Sequence, residues 1–425
     1  MSKNMGGIHI HQENKSVSKR FFWIMWIMYA VVYMTKNCYS AAMASIVYEG
    51  VLTKSETGFI TSAFYFVYAP LQILGGYFSD RYEPRRMIQI GLIGSAISNL
   101  VIYCNQNYYV MLSAWVFNAI TQFALWPALF KIISSQLESE YRVKGVYLIT
   151  FASTVGLLMA YIVATIVPKW QYNFAISSIC LFLFSVVFYR ACKWAGRYMV
   201  PNERGANENK SGKTGNVEEA KMSTWKLFLY SGFFLMVVVT ALRTIVENGI
   251  KTLSSTMLME SYKHISPSVG NILNTFIIIA GVLGLVFVNQ IVYPRLIKNE
   301  AIATLVLLIV TLIPITIMTF LGRASVLLIV VSLCVSAAIL TGINLLMSHC
   351  SAAFLRYGKN GLASGVSNAA ASVAIMLQSY GVVYVADHAG WKQVVWLYFA
   401  LLMISAFCAT VAVRLWNNFK SKKRI

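Results

Sequence analysis

The feature that most constrains this chain is a series of long apolar runs. Twelve occur, at residues 21–47, 58–79, 87–104, 108–134, 146–167, 172–190, 227–259, 269–293, 301–320, 325–353, 362–386 and 393–416. A helix needs about 20 apolar residues to cross the hydrocarbon core of a bilayer, and most of these runs are that long. The chain is 58% hydrophobic and only 12% charged, which is outside the usual composition of a soluble domain. We therefore predict an all-α membrane protein with twelve transmembrane helices.

One long polar segment, residues 201–221, divides the runs into two sets of six. Its Gly- and Asn-rich composition is typical of a flexible linker. It contains Gly212, Lys213 and Thr214, but Asn207 stands where a nucleotide-binding P-loop needs glycine, so we reject a nucleotide site. The predicted organisation is a cytoplasmic tail at 1–20, a six-helix half at 21–190, a cytoplasmic linker at 191–226, a second half at 227–416 and a basic cytoplasmic tail at 417–425.

The placement of the 35 Lys and Arg residues predicts the orientation of the chain. If the N-terminus is cytoplasmic, most of them fall in inner segments, and the outer loops contain only Lys54, Lys169, Lys263, Arg323 and Lys392. This asymmetry follows the positive-inside rule, so both termini are expected in the cytoplasm. The net charge of +20 is therefore a topology signal and gives no evidence of a nucleic-acid partner.

The seven cysteines and five histidines give no sign of a metal site. No CxxC occurs, and most cysteines lie in apolar runs, so we expect free thiols that pack as small hydrophobic groups. No nucleophile and base are spaced as in an enzyme active site. We expect no metal, no cofactor and no enzymatic activity.

The two sets of runs repeat one another. Four pairs of matching positions occur in the same order, each separated by about half the chain: Lys36 and Glu247, Gly58 and Gly270, Tyr141 and Tyr357, and Trp170 and Trp391. Duplicated six-helix halves are typical of transporters, in which the substrate site lies at mid-membrane where the halves meet. We therefore predict two pseudo-symmetric halves.

The loop after the second run carries a recognisable motif, GGYFSDRYEPRR at residues 75–86. Its glycine, Asp-Arg pair and basic pair resemble the inner-loop signature of the major facilitator superfamily, and we assign a gating role to Gly76, Asp80, Arg81, Arg85 and Arg86. A merely basic loop would explain the arginines but not the whole combination. The resemblance implies twelve helices around a central cavity that works by alternating access.

Within that superfamily the chain resembles the organophosphate:phosphate antiporter family, which includes glycerol-phosphate and hexose-phosphate transporters. The resemblance rests on KNCYSAAMASIVYEG from Lys36, LWPALFK from Leu125, YRVKG from Tyr141, Pro84 in the loop and the turn at Gly390. It implies exchange of phosphate for an organophosphate.

The chain departs from that family where phosphate binds. The resemblance aligns the two phosphate-clamping arginines with Thr35 and Glu247, a histidine of run five with Ser153 and a lysine of run two with Gln72. Two planar guanidinium groups suit a phosphate dianion, and here a carboxylate takes the place of one. Phosphate exchange is therefore kept as an alternative.

Arg243, Glu247 and Lys251 occur at four-residue intervals in run seven, so they share one helical stripe. A charge at mid-membrane costs about 2.5–3.5 kcal/mol even on lenient scales. In one interpretation Lys36 and Arg243 bind an anionic group of the substrate while Glu247 carries a coupled proton. In the other, the three charges of run seven neutralise one another and only stabilise their helix. The resemblance places Lys36 and Glu247 opposite each other at the cavity.

Polar and aromatic residues at helical spacing complete the predicted lining. The candidate substrate-binding residues are Tyr33, Lys36, Asn37, Tyr68, Gln72, Gln122, Trp126, Arg243, Asn248, Asn274, Asn344 and Asn368, with Glu247 as the coupling residue. For any single amide, hydrogen bonding between helices is an alternative role. As a set, amides with aromatics suit a hydroxylated solute, and the excess of positive charge favours an anion.

We predict a secondary transporter of a sugar acid, another carboxylate or a sugar phosphate. Proton symport is the first expectation and anion exchange the second, and a solute sensor of the same fold is an alternative of another class. The expected partners are a small organic solute, a proton or counter-anion and the lipid bilayer. The chain is expected to be a monomer, and the resemblance implies a bacterial inner membrane.

Overall fold

The computed structural model describes residues 3–137, 139–196, 224–262, 264–321, 325–354 and 360–421. Within these ranges the regular secondary structure is helical, and each of the twelve apolar runs forms a helix or a pair of short helices. The greater part of the predicted linker and the last four residues of the predicted C-terminal tail lie outside the described residues.

The first six runs form seven helices. They are α1 (Lys3–Tyr48), α2 (Lys54–Arg81), α3 (Pro84–Cys104), α4 (Tyr108–Gln122), α5 (Leu125–Gln136), α6 (Ser139–Ile166) and α7 (Gln171–Ala195). Run four is divided between α4 and α5 because Pro127 has no N–H to donate to the carbonyl of Phe123. The predicted polar tail at 1–20 is part of α1 from Lys3 onward.

The last six runs are interrupted by one glycine and by two π-helical turns. The helices are α8 (Thr224–Tyr230), α9 (Phe233–Ser261), α10 (Pro267–Phe287), α11 (Glu300–Leu321), α12 (Val326–Ala352), α13 (Asn360–Leu377), α14 (Val383–Ala389) and α15 (Trp391–Ser421). Gly232 separates α8 from α9 with a φ of +72°, a left-handed conformation that favours glycine. π-helical turns at Val288–Leu296 and Gln378–Val382 follow α10 and α13.

Nine helical segments of the described chain are long and apolar enough to cross a membrane. They account for runs three, four and six to twelve, and run five contributes a shorter apolar helix at Phe151–Ile166. Runs one and two lie in α1 and α2, which carry polar residues such as Thr35, Lys36 and Gln72 at the positions singled out by the sequence.

The described residues form two compact units. Unit 1 comprises those within 3–42 and 67–196, and unit 2 those within 43–66 and 224–421. The core of unit 1 is built on aromatic residues of α1 and α7, including Phe21, Phe22 and Phe188. Unit 2 has an aromatic core at one end, where the Phe354 ring lies 5.0 Å from the Phe233 ring and 6.0 Å from the Trp416 ring.

The part of α2 up to Phe66 belongs to unit 2, because it contacts Glu260 of α9 and packs along residues 376–387. Lys54 pairs with Glu260 at 2.8 Å, and the Ser62 hydroxyl donates to the Met376 carbonyl at 3.1 Å. Between these contacts Gly58 lies directly against the Ser379 carbonyl of the second π-helical turn. The predicted boundaries of the two six-helix halves stay a prediction.

Gly156 of α6 offers a test of helix packing in unit 1. A Cβ atom there would collide with the Ala30 carbonyl and the Tyr33 Cβ of α1. Because overpacking costs about 1–3 kcal/mol, Gly156→Ala should lower the thermal unfolding midpoint in detergent by several degrees. Gly365→Ala is the matched control, since nothing lies within 4 Å of its Cβ position. Equal midpoints for the two variants would contradict the close approach of α1 and α6.

Candidate functional site

The charged stripe predicted from run seven is buried inside unit 2. Arg243 is 0% exposed, Glu247 5% and Lys251 8%. All three lie on α9, and their four-residue spacing brings the side chains into direct contact. Arg243 and Lys251 each form an ion pair with the same carboxylate, that of Glu247.

The carboxylate of Glu247 is shared among three donors. Arg243 donates Nη1–H to its Oε2, and Lys251 donates Nζ–H to its Oε1 at 2.6 Å. The amide of Asn344 on α12 donates to both oxygens, at 3.0 and 3.1 Å. Such charge-assisted hydrogen bonds hold an ionised carboxylate away from bulk water.

The guanidinium of Arg243 also joins α9 to α12. Its Nη1 also donates to the Leu340 carbonyl at 3.0 Å, and its Nη2 donates to Asn344 Oδ1 at 2.5 Å. Asn344 is exposed although the ions are buried, so it is the member of the cluster nearest to solvent. An approaching solute or proton would meet the cluster through this amide.

The cluster is unbalanced in charge and in hydrogen bonding. Two cations share one carboxylate, which leaves one excess positive charge in a buried position. In addition, Arg243 Nε is a buried donor without a hydrogen-bond partner among the described residues. Both features fit a site that an anion completes, because buried cations need acceptors.

Lys251 is bordered by α10 and α12. Asn274 of α10 donates its amide N–H to the Lys251 carbonyl at 2.9 Å. A Cβ atom on Gly281 would lie 3.5 Å from Lys251 Cε and 3.0 Å from Thr341 Oγ1 of α12. The absence of a side chain at Gly281 therefore leaves room beside the lysine.

A second amide pair lies one residue further along α9. Asn248 donates to Gln378 Oε1 at 2.5 Å, and the Nε2 of Gln378 is a buried donor without a partner in the described chain. Gln378 begins the π-helical turn after α13, and π-helical turns often mark functional positions. Gln378 was absent from the predicted site. The sequence signal that could have identified it is its polar amide within the apolar run eleven.

Lys36 lies in unit 1 against aromatic rings. Its ammonium is 4.0 Å from the centroid of the Tyr68 ring and 5.6 Å from that of Tyr33. Tyr29 extends the aromatic group, 5.0 Å from the Tyr33 ring and 5.5 Å from that of Trp126. A cation over tyrosine faces is stabilised by the ring quadrupole.

Several other predicted residues of unit 1 bond within their own helix. The Asn37 amide donates to the Tyr33 carbonyl at 2.7 Å, and that of Gln122 donates to Asn118 Oδ1 at 2.9 Å. Gln72 donates to the Tyr68 hydroxyl at 3.3 Å, so it belongs to the group around Lys36. Gln122 is buried, which favours the helix-bonding role over contact with a solute.

The inner-loop residues lie at the junction of α2 and α3. Arg81 and Arg86 are exposed, and Arg86 pairs with Glu83 at 2.8 Å. Arg85 reaches the C-terminal end of α7, where a Cβ on Gly196 would lie 3.3 Å from its Nη1. The Gly76 and Asp80 side chains lie outside the described part of the structure, so their gating role stays a prediction.

The structure thus brings together part of the predicted set. Arg243, Glu247 and Asn344 form one cluster with Lys251, whereas Asn248 bonds to Gln378. Asn274 contacts the backbone of Lys251. Asn368 is exposed on α13. Lys36 and its aromatic neighbours lie in unit 1, and their predicted position opposite Glu247 stays a prediction.

Comparisons with known proteins point to one family. A family model described as Major Facilitator Superfamily matches residues 25–379. Membrane sensor protein UhpC of Escherichia coli K12 is 33% identical over 98 residues, 23% of this chain and 22% of that protein. A probable hexose phosphate transport protein of Chlamydia trachomatis is 26% identical over 125 residues, 29% of this chain and 27% of that protein.

A D-galactonate transporter of Escherichia coli O6:H1 is 26% identical over 141 residues, 33% of this chain and 33% of that protein. The chain therefore aligns with about a fifth to a third of the length of these curated relatives. The resemblance to hexose-phosphate transporters predicted from the sequence is confirmed.

A solved structure supports the fold over almost the whole chain. A bacterial homologue of the human lysosomal transporter Spinster, in an inward-facing and unoccupied conformation, has a TM-score of 0.74 at 15% identity. The similarity covers 95% of this chain and 98% of that one. At this identity the likeness shows the fold alone, and it confirms the predicted twelve-helix architecture. Family and fold are those of transporters and not of enzymes.

The charge balance of the cluster predicts a difference between two variants. Lys251→Met leaves Arg243 paired with Glu247 and no excess charge, whereas Glu247→Leu leaves two buried cations without a counter-ion. Because removing one partner of a buried pair costs about 3–5 kcal/mol, Glu247→Leu should lower the unfolding midpoint much more than Lys251→Met. Thermal unfolding in detergent measures both. A larger loss for Lys251→Met would show that the contacts do not reflect the charge balance.

Proposed function

The chain belongs to the Major Facilitator Superfamily, and from that premise we propose that it is a secondary transporter that moves a small organic anion by alternating access. The observation that carries this proposal is the buried cluster on α9, with its excess positive charge and the unpartnered Arg243 Nε. A sugar acid or other carboxylate is the preferred substrate, and a sugar phosphate comes next.

The choice of a carboxylate rests on which cations are present. A phosphate dianion is best held by two guanidinium groups. Here Arg243 is the one guanidinium in the cluster, and Glu247 already accepts hydrogen bonds from Arg243, Lys251 and Asn344. One excess charge matches a monoanion. The names of the D-galactonate and hexose phosphate relatives agree with a hydroxylated anion in this class.

Proton coupling is assigned to Glu247. The carboxylate is buried, yet it is bonded to the exposed Asn344, so it lies one side chain away from solvent. A substrate anion that pairs with Arg243 competes with Glu247 for the same guanidinium. Protonation of Glu247 removes that competition, so substrate and proton favour each other's binding, as symport requires.

We further propose that both termini are cytoplasmic, that the membrane is a bacterial inner membrane and that the monomer is the functional unit. The orientation rests on the excess of Lys and Arg in the predicted inner segments. The membrane assignment rests on the bacterial sources of the relatives. The monomer rests on the duplication in the sequence, since one chain then contains both six-helix halves.

Two other functions have specific support. Exchange of anions is favoured by the hexose phosphate relatives, and sensing is favoured by the similarity to the UhpC sensor. An exchanger would accumulate solute when vesicles are loaded with phosphate and would ignore a proton gradient. A sensor without transport activity would bind solute and show no flux.

Uptake by reconstituted vesicles tests the proposal. Labelled sugar acids, sugar phosphates and neutral sugars are offered with and without an inward proton gradient, and one sugar acid or related carboxylate should accumulate only with the gradient. Lys36→Gln should reduce this uptake at least tenfold, because it removes the cation over Tyr68 that is predicted to bind the substrate anion. The exposed Lys392 provides the matched control, and Lys392→Gln should transport normally. Binding without flux, or accumulation driven by phosphate alone, would contradict symport.

A further inference from the structure

The region beside Lys251 contains two buried hydrogen-bond acceptors without partners. They are Asn274 Oδ1 on α10 and Thr341 Oγ1 on α12. Asn274 is 0% exposed and Thr341 3%. Buried polar groups are almost always paired, so two unsatisfied acceptors near one buried lysine call for an explanation.

Asn274 contacts the backbone of Lys251, and Thr341 lies on the other side of the space beside the Lys251 side chain. The amide nitrogen of Asn274 is held by the Lys251 carbonyl, which fixes that side chain next to α9. The space between Lys251 Cε and Thr341 Oγ1 is the space that a side chain on Gly281 would fill. Gly281 therefore leaves a path along which the ammonium can turn from Glu247 towards α10 and α12.

We propose that Lys251 is a positioning residue with two binding positions. In the first it pairs with ionised Glu247, as in this structure. In the second, reached when a hydronium ion transfers a proton to the Glu247 carboxylate and is left as water, Asn274 Oδ1 and Thr341 Oγ1 accept hydrogen bonds from its ammonium. The inference rests on the proposed role of Glu247 as proton carrier and names the residues that make its protonation possible.

The physical reason is that a buried ammonium always needs an acceptor. Protonation of Glu247 weakens its attraction for Lys251, and without a second position the lysine would oppose the protonated state. Among the described residues, the other groups near Glu247 do not supply one. Arg243 and the amide of Asn344 are donors there, and the Tyr398 phenol lies against Gly249.

With Asn274 and Thr341 available, the proton and the lysine exchange places at the carboxylate. Arg243 stays bonded to Asn344 and the Leu340 carbonyl in both states and keeps its free Nε for the substrate anion. The only covalent changes are the O–H bond broken in the hydronium ion and the O–H bond formed on Glu247.

A double-mutant cycle on thermal unfolding tests the second position without relying on transport. Glu247→Gln imitates the protonated carboxyl group, so Lys251 should then depend on Thr341. Thr341→Val should lower the unfolding midpoint at least about 2 °C further in the Glu247→Gln background than in the wild-type chain. Thr341→Ser should restore it.

The matched control is Thr311→Val. Thr311 is also buried in unit 2, but its hydroxyl donates to the Leu307 carbonyl of its own helix. Its effect should be the same in both backgrounds. If Thr341→Val also lowers the unfolding midpoint by the same amount in both backgrounds, the second position of Lys251 does not exist.

Transport separates failure of this proposal from failure of the proposed function. In vesicles, Thr341→Val should lower the ratio of proton-driven accumulation to solute counterflow about fivefold, and Thr311→Val should leave that ratio unchanged. If Glu247→Gln itself accumulates solute normally, proton coupling through Glu247 is wrong. If Glu247→Gln loses accumulation but Thr341→Val keeps the wild-type ratio, only the role of Lys251 is overturned. This second measurement also serves if Glu247→Gln does not fold.

Discussion

The polar interior of unit 2 depends on the ion pairs and hydrogen bonds that the carboxylate of Glu247 accepts. This carboxylate holds two cations of its own helix and one amide of α12, and Arg243 extends these bonds to a backbone carbonyl. Without the carboxylate, α9 would bring two uncompensated cations into a buried position. The approach of α9 and α12 is therefore tied to one titratable group, and a change in its protonation alters the forces between these two helices.

Stability alone is a weak explanation for such a cluster. A buried ion pair costs desolvation of both partners, and well-packed apolar residues often stabilise a fold as much or more. The cluster also leaves a guanidinium donor and two nearby acceptors unsatisfied, which a purely structural network would avoid. These features fit a site whose hydrogen bonds are completed in another state of the transport cycle, by a substrate anion at Arg243 and by Lys251 in a second position.

The sequence predicted the helices and the stripe on α9 because both depend on local spacing. Apolar runs of membrane-spanning length fold as helices whatever surrounds them, and four-residue spacing puts Arg243, Glu247 and Lys251 side by side. The bond from Arg243 to the Leu340 carbonyl could not be predicted from the sequence, because every residue has a backbone carbonyl. Gln378 depends on a π-helical turn, which residue spacing does not reveal.

The polar residues of unit 1 show the limit of reasoning from residue type. Asn37 and Gln122 have the spacing of a solute site, and their amides bond within their own helices in the structure, so their role in binding stays a prediction. For Lys36, the aromatic partners Tyr33 and Tyr68 were among the predicted residues, while their arrangement around the ammonium depends on how α1 and α2 pack.

The most direct measurement is the number of protons that enter vesicles with each solute molecule, compared between the wild-type chain and Glu247→Gln. If Glu247 carries the coupled proton, the variant should move solute only down its own gradient, with no accompanying proton uptake. Proton uptake and accumulation at wild-type amplitude in Glu247→Gln would contradict this role for the carboxylate.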